Sequence, residues 1–434
     1  MTNKTHLHTA VIGAGPYGLS IGAHLQDAGI EYRVFGDVME TWRRHMPSGM
    51  CLKTHGESSN LFDAHAQFPL RAFARAHHIP YHPSEILVPL ATFLAYGEAF
   101  QQRYVRPVTR ARLISHRAIS GDHELQFDNG ETVLARRVVV AVGTRPFKYI
   151  PPVLAGLPAE LVSHSSDFGL TERLAGKRVI IIGSGASALD LAALLSLQDS
   201  AVTIVARASE LHFQNPPAPA RSLLKRIIAP DAPGLGAGWL LRACTAPQLV
   251  RLLPDRLRTA ILSNTLGPSG GYFIRAQVES RVRLKLGRAI KHVHRLGDRV
   301  HVRVADHDGA QTTIAADHLI AAAGYRIDLR QLPFLGSDTL QQVRMIDWTP
   351  VLSADFETSL PGLFFVGLAS ARTFGPIMRF VAGAVHPARR LTRVLKNIPD
   401  PRGDRIRGVT TQGADKQIAA GRPVSHTHTD GAAA

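Results

Sequence analysis

Read for its apolar periodicity alone, the chain alternates between two kinds of segment. Short unbroken apolar runs of buried-strand length occur at Val11–Ile12, Val138–Val140, Val179–Ile182 and Leu319–Ala323. Two of them, the first and the third, run through a glycine turn into a longer stretch with apolar residues at helical spacing. Strands that alternate with helices predict parallel sheets flanked by helices, an α/β chain. Between these units, Phe68–Gln102 mixes helical pieces with Pro80, Pro83 and Pro89 and predicts a helical cover. Arg106–Val140 predicts a small antiparallel meander of three or four strands, with turns at Gly121-Asp122 and Asp128-Asn129-Gly130. Gln214–Leu262 departs from the pattern: Pro216, Pro217 and Pro219 lead into apolar-basic helical pieces at Leu223–Ile228, Trp239–Leu241 and Leu249–Leu253. Packed amphipathic helices are the commoner meaning of such an insertion; a roof over an active site and a membrane-surface contact are the functional alternatives. Beyond Ile398 the composition turns to Gly, Asp, Arg, Thr and Ala, and residues 399–434 are expected to be a disordered tail.

The two glycine turns share one design. Ala10–Gly22 reads A-V-I-G-A-G-P-Y-G-L-S-I-G, a strand entering Gly13, Gly15 and Gly18 with Pro16 and Tyr17 between, then a helix of small residues. Gly13 permits the turn, Gly15 lets backbone N–H groups approach a pyrophosphate, and Gly18 lets helix and strand pack closely, so the positive helix end faces phosphate. The second copy runs through Gly183, Ser184, Gly185, Ala186, Ser187 and Ala188, with alanine in the third place. Two such folds in one chain imply two nucleotides meeting, which is a redox arrangement. Arg207 follows the strand Ala201–Val205, where an acidic residue would favour NADH; a guanidinium there suits a 2′-phosphate, with Ser187 adding a hydrogen bond, so NADPH is favoured. In the first unit Gly36 stands where the ribose-binding carboxylate is expected and Asp37 comes one place later, so either Asp37 reaches back or the backbone holds the ribose.

Charge and composition remove other classes. The net charge is +16, but the basic residues are dispersed without runs, which argues against nucleic-acid binding. No apolar run is long enough to span a bilayer, and the start, M-T-N-K-T-H-L-H, leads into a strand without a signal-peptide pattern. The two cysteines, Cys51 and Cys244, write neither a disulfide framework nor a zinc site, and His77-His78 has no partner at metal-ligand spacing, so no metal is expected. A reducing, cytoplasmic compartment fits; homo-oligomerisation is left open.

Further elements resemble the flavin-containing monooxygenases and their N-hydroxylating and Baeyer–Villiger relatives, the class B flavoprotein monooxygenases. Glu40–Arg44 (E-T-W-R-R) places Trp42 and Arg43 at the family's flavin-side turn, with its glycines replaced by Met39, Glu40 and Thr41. Leu52-Lys53-Thr54-His55 stands for the family's L-x-T-N element, putting His55 at the Asn place, with Asn60 five residues on. The alternative for His55 and Asn60 is that they cap a turn. Val138–Phe147, with Val142, Gly143 and Thr144, resembles the A-T-G strand that leads from flavin to nicotinamide domain, and Leu319–Arg326, with Gly324 and Tyr325, resembles the return crossover. His164 and Phe168 keep half of the family's F-x-G-x-x-x-H-x-x-x-[FYW] signature. Gly367-Leu368 follows the return strand, and Phe374–Phe380 would begin a helix pointing at the flavin that Ala382–Leu395 completes.

The resemblance implies two Rossmann-like domains, the second inserted in the first: residues 1–147 as the first part of an FAD-binding domain, 148–326 as an NADP-binding domain with a helical insertion at about 214–265, and 327–398 as the return segment. It implies FAD and NADPH as cofactors, O2 and a small organic molecule as reactants, and oxygen transfer through a C4a-(hydro)peroxyflavin, with N- or S-oxygenation favoured. Baeyer–Villiger insertion and a reductase without oxygen transfer are the alternatives. His55, Asn60 and Lys53 are the candidate donors near the reacting centre.

Overall fold

The computed structural model describes residues 5–167, 169–216, 231–232, 236–265 and 269–397. Phe168, Pro217, Pro219, Leu223–Ile228, Gly267 and the expected tail lie outside the described residues.

The first apolar run forms β1 (Thr5–Ile12), whose last six residues are all buried, as a strand covered on both faces requires. The chain passes through Gly13–Gly15 into α1 (Pro16–Asp27), with proline at the helix start where its missing N–H costs nothing. It then enters β2 (Tyr32–Phe35), parallel to β1 with Val34 beside Val11. The helical cover is α2 (Glu40–Arg44), α3 (Leu70–Ala76) and α4 (Leu90–Tyr104). Phe93, Tyr96 and Phe100 of α4 are fully buried, and the Tyr96 hydroxyl donates to the Phe68 carbonyl at 2.8 Å.

The expected meander is present but is not a separate sheet. β3 (Val108–Thr109) joins β2, while β4 (Leu113–Ile119), β5 (Asp122–Phe127) and β6 (Thr132–Val140) run antiparallel in sequence. β6 outruns β5 and lies parallel to β1 from Val133 beside Thr5 to Val140 beside Ile12. The far half of its free edge takes the last strand of the sheet, described below.

The second unit holds β7 (Val162–His164), β8 (Arg178–Ile182), α5 (Ala186–Ser196) and β9 (Ala201–Val205). Among the described residues, three short helices follow, α6 (Trp239–Cys244), α7 (Pro247–Leu252) and α8 (Asp255–Asn264), then α9 (Arg275–Arg281) and β10 (Arg283–Lys285). A three-stranded antiparallel sheet, β11 (Ala289–Leu296), β12 (Arg299–Ala305) and β13 (Gln311–Ala316), precedes β14 (His318–Ala321). The central sheet is parallel in the order β10-β9-β8-β14-β7. Strand alternation divides its core: Val179 and Ile181 face α5 and α9, whereas Ile180 packs with Val300, Val302 and Val304 of β12.

The chain then returns to the first sheet as β15 (Leu363–Phe365), parallel to Val138–Val140 of β6. The second Rossmann-like unit is therefore inserted between two neighbouring strands of the first. Where one helix was expected from Phe374 to Leu395, the chain is broken. α10 (Ala371–Phe374) stops at Gly375, whose φ is 89°, and 3₁₀ turns cover Pro376–Arg379 and Val381–Ala384 before α11 (Val385–Lys396) begins. Pro376 has no N–H to continue a helix, and a side chain on Gly375 would press on Val250.

Candidate functional site

The two glycine turns are built alike down to single atoms. Gly13 has φ 114° and Gly183 has φ 134°, and a Cβ on either would drive into the carbonyl oxygen of the following crossover strand, Ala141 for the first and Ala322 for the second. Only glycine meets both the angle and the approach. α1 and α5 each start on a glycine N-cap with no side-chain cap, which leaves the first-turn N–H groups of Tyr17, Gly18, Ser187 and Ala188 without an intrahelical acceptor. At Gly15 a Cβ would meet nothing within 4 Å, so the space above this backbone is free. That is the cradle a diphosphate needs.

A cleft of about 1030 Å³, open to solvent, runs from this cradle. Gly13–Tyr17, Gly36, Asp37 and Trp42 line one side, Val142–Thr144 the floor, and Gly367, Leu368 and Met378–Val381 the other. Tyr17 ties the sides together: its buried hydroxyl lies 3.0 Å from the carbonyl oxygens of both Met378 and Phe380, and burial holds its phenol far above the usual range. Trp42 stacks edge-on to Phe93 at 4.7 Å, so α4 fixes its ring in the cleft wall. Asp37 lies in the wall together with Glu40. Arg43 does not: its guanidinium pairs with Glu98 of α4.

The three candidate donors are placed elsewhere. Asn60 accepts from the Leu70 N–H at 2.7 Å and donates to the Glu57 carbonyl at 2.7 Å, so its amide caps α3. His55 is exposed at the start of a 3₁₀ turn, and its carbonyl accepts from Ser58 and Ser59. Lys53 makes a largely buried ion pair with Asp190 of α5 at 2.8 Å. Burial pulls the lysine down and pushes the carboxyl up, each partly restrained by the other's charge. Lys53 and His55 border a smaller cavity of about 480 Å³ with Gln214, Asn215 and Tyr272, between segments of both units. The partner Asp190 does have a signal in the sequence, a carboxylate inside the apolar run A-L-D-L-A-A-L-L, because such a helix position needs a cationic partner.

The two crossovers meet. Tyr149 N–H donates to Gly324 at 3.0 Å, Arg326 N–H donates to Phe147 at 2.8 Å, and the Arg326 guanidinium lies 3.7 Å from the centroid of the Tyr149 ring. The Tyr325 ring packs edge-on against His164 with centroids 5.3 Å apart, and burial raises its phenol while the neighbouring Ser166 and Thr144 lower it. His164, fully buried, donates from Nε2 to the Gly324 carbonyl at 3.1 Å, which leaves Nδ1 as the acceptor from Ser166 at 2.8 Å. Burial keeps this ring neutral by lowering its pKa. His164 is thus a brace between β7 and the return crossover. Arg207 is exposed directly beyond β9.

The family described as pyridine nucleotide-disulphide oxidoreductase matches residues 7–229, just over half of the chain. Among curated relatives, a ferredoxin–NADP reductase of Gluconacetobacter diazotrophicus is 28% identical over 307 residues, covering 67% of this chain and 72% of that protein. Indole-3-pyruvate monooxygenase YUCCA4 of Oryza sativa subsp. japonica is 27% identical over 287 residues, 59% of this chain and 60% of that one. Among solved structures, the ornithine N-hydroxylase KtzI of Kutzneria sp. 744 shares the fold with a TM-score of 0.69 at 15% identity, over 90% of this chain and 99% of that one. With the matched span, the paired glycine cradles and the inserted second unit in agreement, the chain belongs to the pyridine nucleotide-disulphide oxidoreductase family, enzymes that bind FAD and NAD(P).

Proposed function

We propose that the protein is an NADPH-dependent flavoprotein monooxygenase that transfers one atom of O2 to a nitrogen or sulfur of a small organic substrate and reduces the other to water. In this reading residues 1–147 and 327–398 bind FAD and residues 148–326 bind NADPH. FAD, when bound, supplies hydride acceptance from NADPH and activation of O2. The chain's part is to bind and to exclude water. The N–H groups of Tyr17 and Gly18 would hold the first diphosphate, with Asp37 and Glu40 available to the ribose. Trp42 and Val142–Thr144 would cover the ring system, and Gly183–Ala188 with Arg207 would hold the second nucleotide.

The observation that carries the reading is the composition of the large cleft: no cysteine lines it, and both cysteines of the chain are free. A dithiol relay to a disulfide substrate therefore has no groups to run on, and electrons leave the site to an acceptor that enters it. The ferredoxin–NADP reductase relative supports a second reading, in which that acceptor is an electron carrier and no oxygen is transferred. Turnover with NADPH under ¹⁸O2, with a panel of amines, thioethers and ketones, separates the two. Label in an amine or thioether product supports N- or S-oxygenation, and label in an ester supports Baeyer–Villiger insertion. Rapid reduction of iron or quinone acceptors with no labelled product supports the reductase.

A further inference from the structure

The insertion helices α6–α8 carry much uncovered apolar surface. Trp239, Leu240, Leu249, Leu252 and Leu257 are all between 53 and 70% exposed, and α8 has no buried residue. Leu249 and Leu252, three residues apart, share one face of α7, while Pro247 and Val250 are buried on the other. The inner side is firmly seated. Val250 packs against Gly375, Arg372 pairs with Asp255 at 2.9 Å, and Arg379, from the cleft wall, donates to the Leu262 carbonyl at 2.7 Å. The outward leucines are therefore displayed by a fixed scaffold.

Charge decides what covers them. Residues 239–264 contain four arginines (Arg242, Arg251, Arg256 and Arg258) and one acid, Asp255, which is already paired with Arg258 and Arg372. The whole chain carries +16. A second copy would bring the same arginines face to face, and like charges at close range oppose contact. We propose that the outer faces of α6–α8 dock on an anionic lipid surface. Trp239 and the leucines enter the headgroup boundary, and the exposed Arg242 and Arg256 meet lipid phosphates. No helix among the described residues is long and apolar enough to cross a membrane, so this contact is peripheral and salt-sensitive.

The test is flotation of the full chain with vesicles of phosphatidylglycerol and phosphatidylcholine, against phosphatidylcholine alone, at low and high salt. The expected result is co-flotation with the anionic vesicles only, reversed by salt. Leu249→Ser/Leu252→Ser should lower the vesicle partition coefficient by roughly one to two orders of magnitude, given the transfer free energy of two leucine side chains. Both side chains stand in solvent, so flavin content and thermal unfolding should not change. Leu240→Ser, on the neighbouring helix, gives an independent variant that should weaken binding in the same direction. Absence of flotation at low salt overturns the proposal, as does undiminished binding by the double variant, which would assign the contact to the basic surface at large. A dimer in light scattering that the double variant dissociates also overturns it, because a second copy would then be the cover.

Discussion

Gly15 separates folding from binding. Its φ of −86° and ψ of −172° are open to any residue, and a Cβ there meets no protein atom within 4 Å. Gly15→Val is therefore expected to fold with a stability within about 1 kcal/mol of the parent, yet to purify without flavin, because the added methyls fill the cradle. The absorbance ratio of flavin to protein, with a thermal melt, measures both. A stable variant that keeps full flavin would remove the diphosphate from this turn. Gly13→Val should behave oppositely and fail to fold, since its φ is 114° and the Ala141 carbonyl blocks the side chain. Arg207 offers a second test at this scale. If its exposed guanidinium pairs with a 2′-phosphate, Arg207→Ala should raise the NADPH KM by roughly one to three orders of magnitude and leave NADH nearly unchanged. Equal losses for the two cofactors would assign Arg207 to the fold instead.

Elements are joined by polar contacts buried between them, and two of these make predictions. The Lys53–Asp190 pair links the segment after the first unit's opening strands to α5 of the second. Removing one charge strands the other, so Lys53→Met should cost about 3–5 kcal/mol in unfolding free energy, and Lys53→Met/Asp190→Leu should recover much of it. A double variant as unstable as the single one would mean the pair itself, and not the stranded charge, matters.

The second contact joins the meander to the return segment. The His123 Nε2–H donates to the Pro361 carbonyl at 3.1 Å, His116 Nε2–H donates to His123 Nδ1 at 2.9 Å, and Thr339 lies 3.0 Å from His116 Nδ1. Burial, helped by the neighbouring imidazole, lowers His116 to about 4. The unfolded chain therefore takes up a proton near pH 6.5 that the folded chain refuses. The stabilisation is full above that pH and falls as pH drops from about 6.5 to 4, by on the order of 3 kcal/mol for this group. Urea midpoints at pH 7 and pH 5 should show the loss, and His116→Gln should flatten it; an unchanged slope would place the pH sensitivity in other groups.

These contacts also mark where the sequence is silent. The glycine turns are legible because the demand on Gly13 and Gly183 is local: an angle and one neighbouring carbonyl. The cap made by Asn60 and the salt bridge of Lys53 depend on Leu70 and Asp190, partners that no local pattern names. The meander was legible as hairpins, but not the register by which β6 joins β1, because a nine-residue strand has room for partners on both edges. The break after α10 was written in the sequence as Gly375-Pro376.

At the scale of the whole molecule, the arrangement turns on how firmly the two units face each other. The crossovers form one joint in which Tyr325 packs against His164, His164 reaches Gly324, and Arg326 covers Tyr149. An enzyme that only passes electrons on can release its oxidised nicotinamide at once. One that transfers oxygen gains from keeping it in place, because the bound nucleotide shields the reacting centre from water. The joint suits the second demand. With NADPH and O2 but no substrate, the protein should therefore consume NADPH slowly and release little hydrogen peroxide. Tyr325→Phe removes the hydroxyl from the joint, beside Ser166 and Thr144, while the ring still fills its place beside His164. It should raise peroxide released per NADPH oxidised by roughly several-fold, following the free energy lost from the joint, without a matching change in NADPH KM. Peroxide assays beside NADPH absorbance read both quantities. If the parent protein oxidises NADPH quickly without substrate, and passes the electrons to iron complexes or quinones as fast as Tyr325→Phe does, the joint is only a hinge and the chain is a reductase.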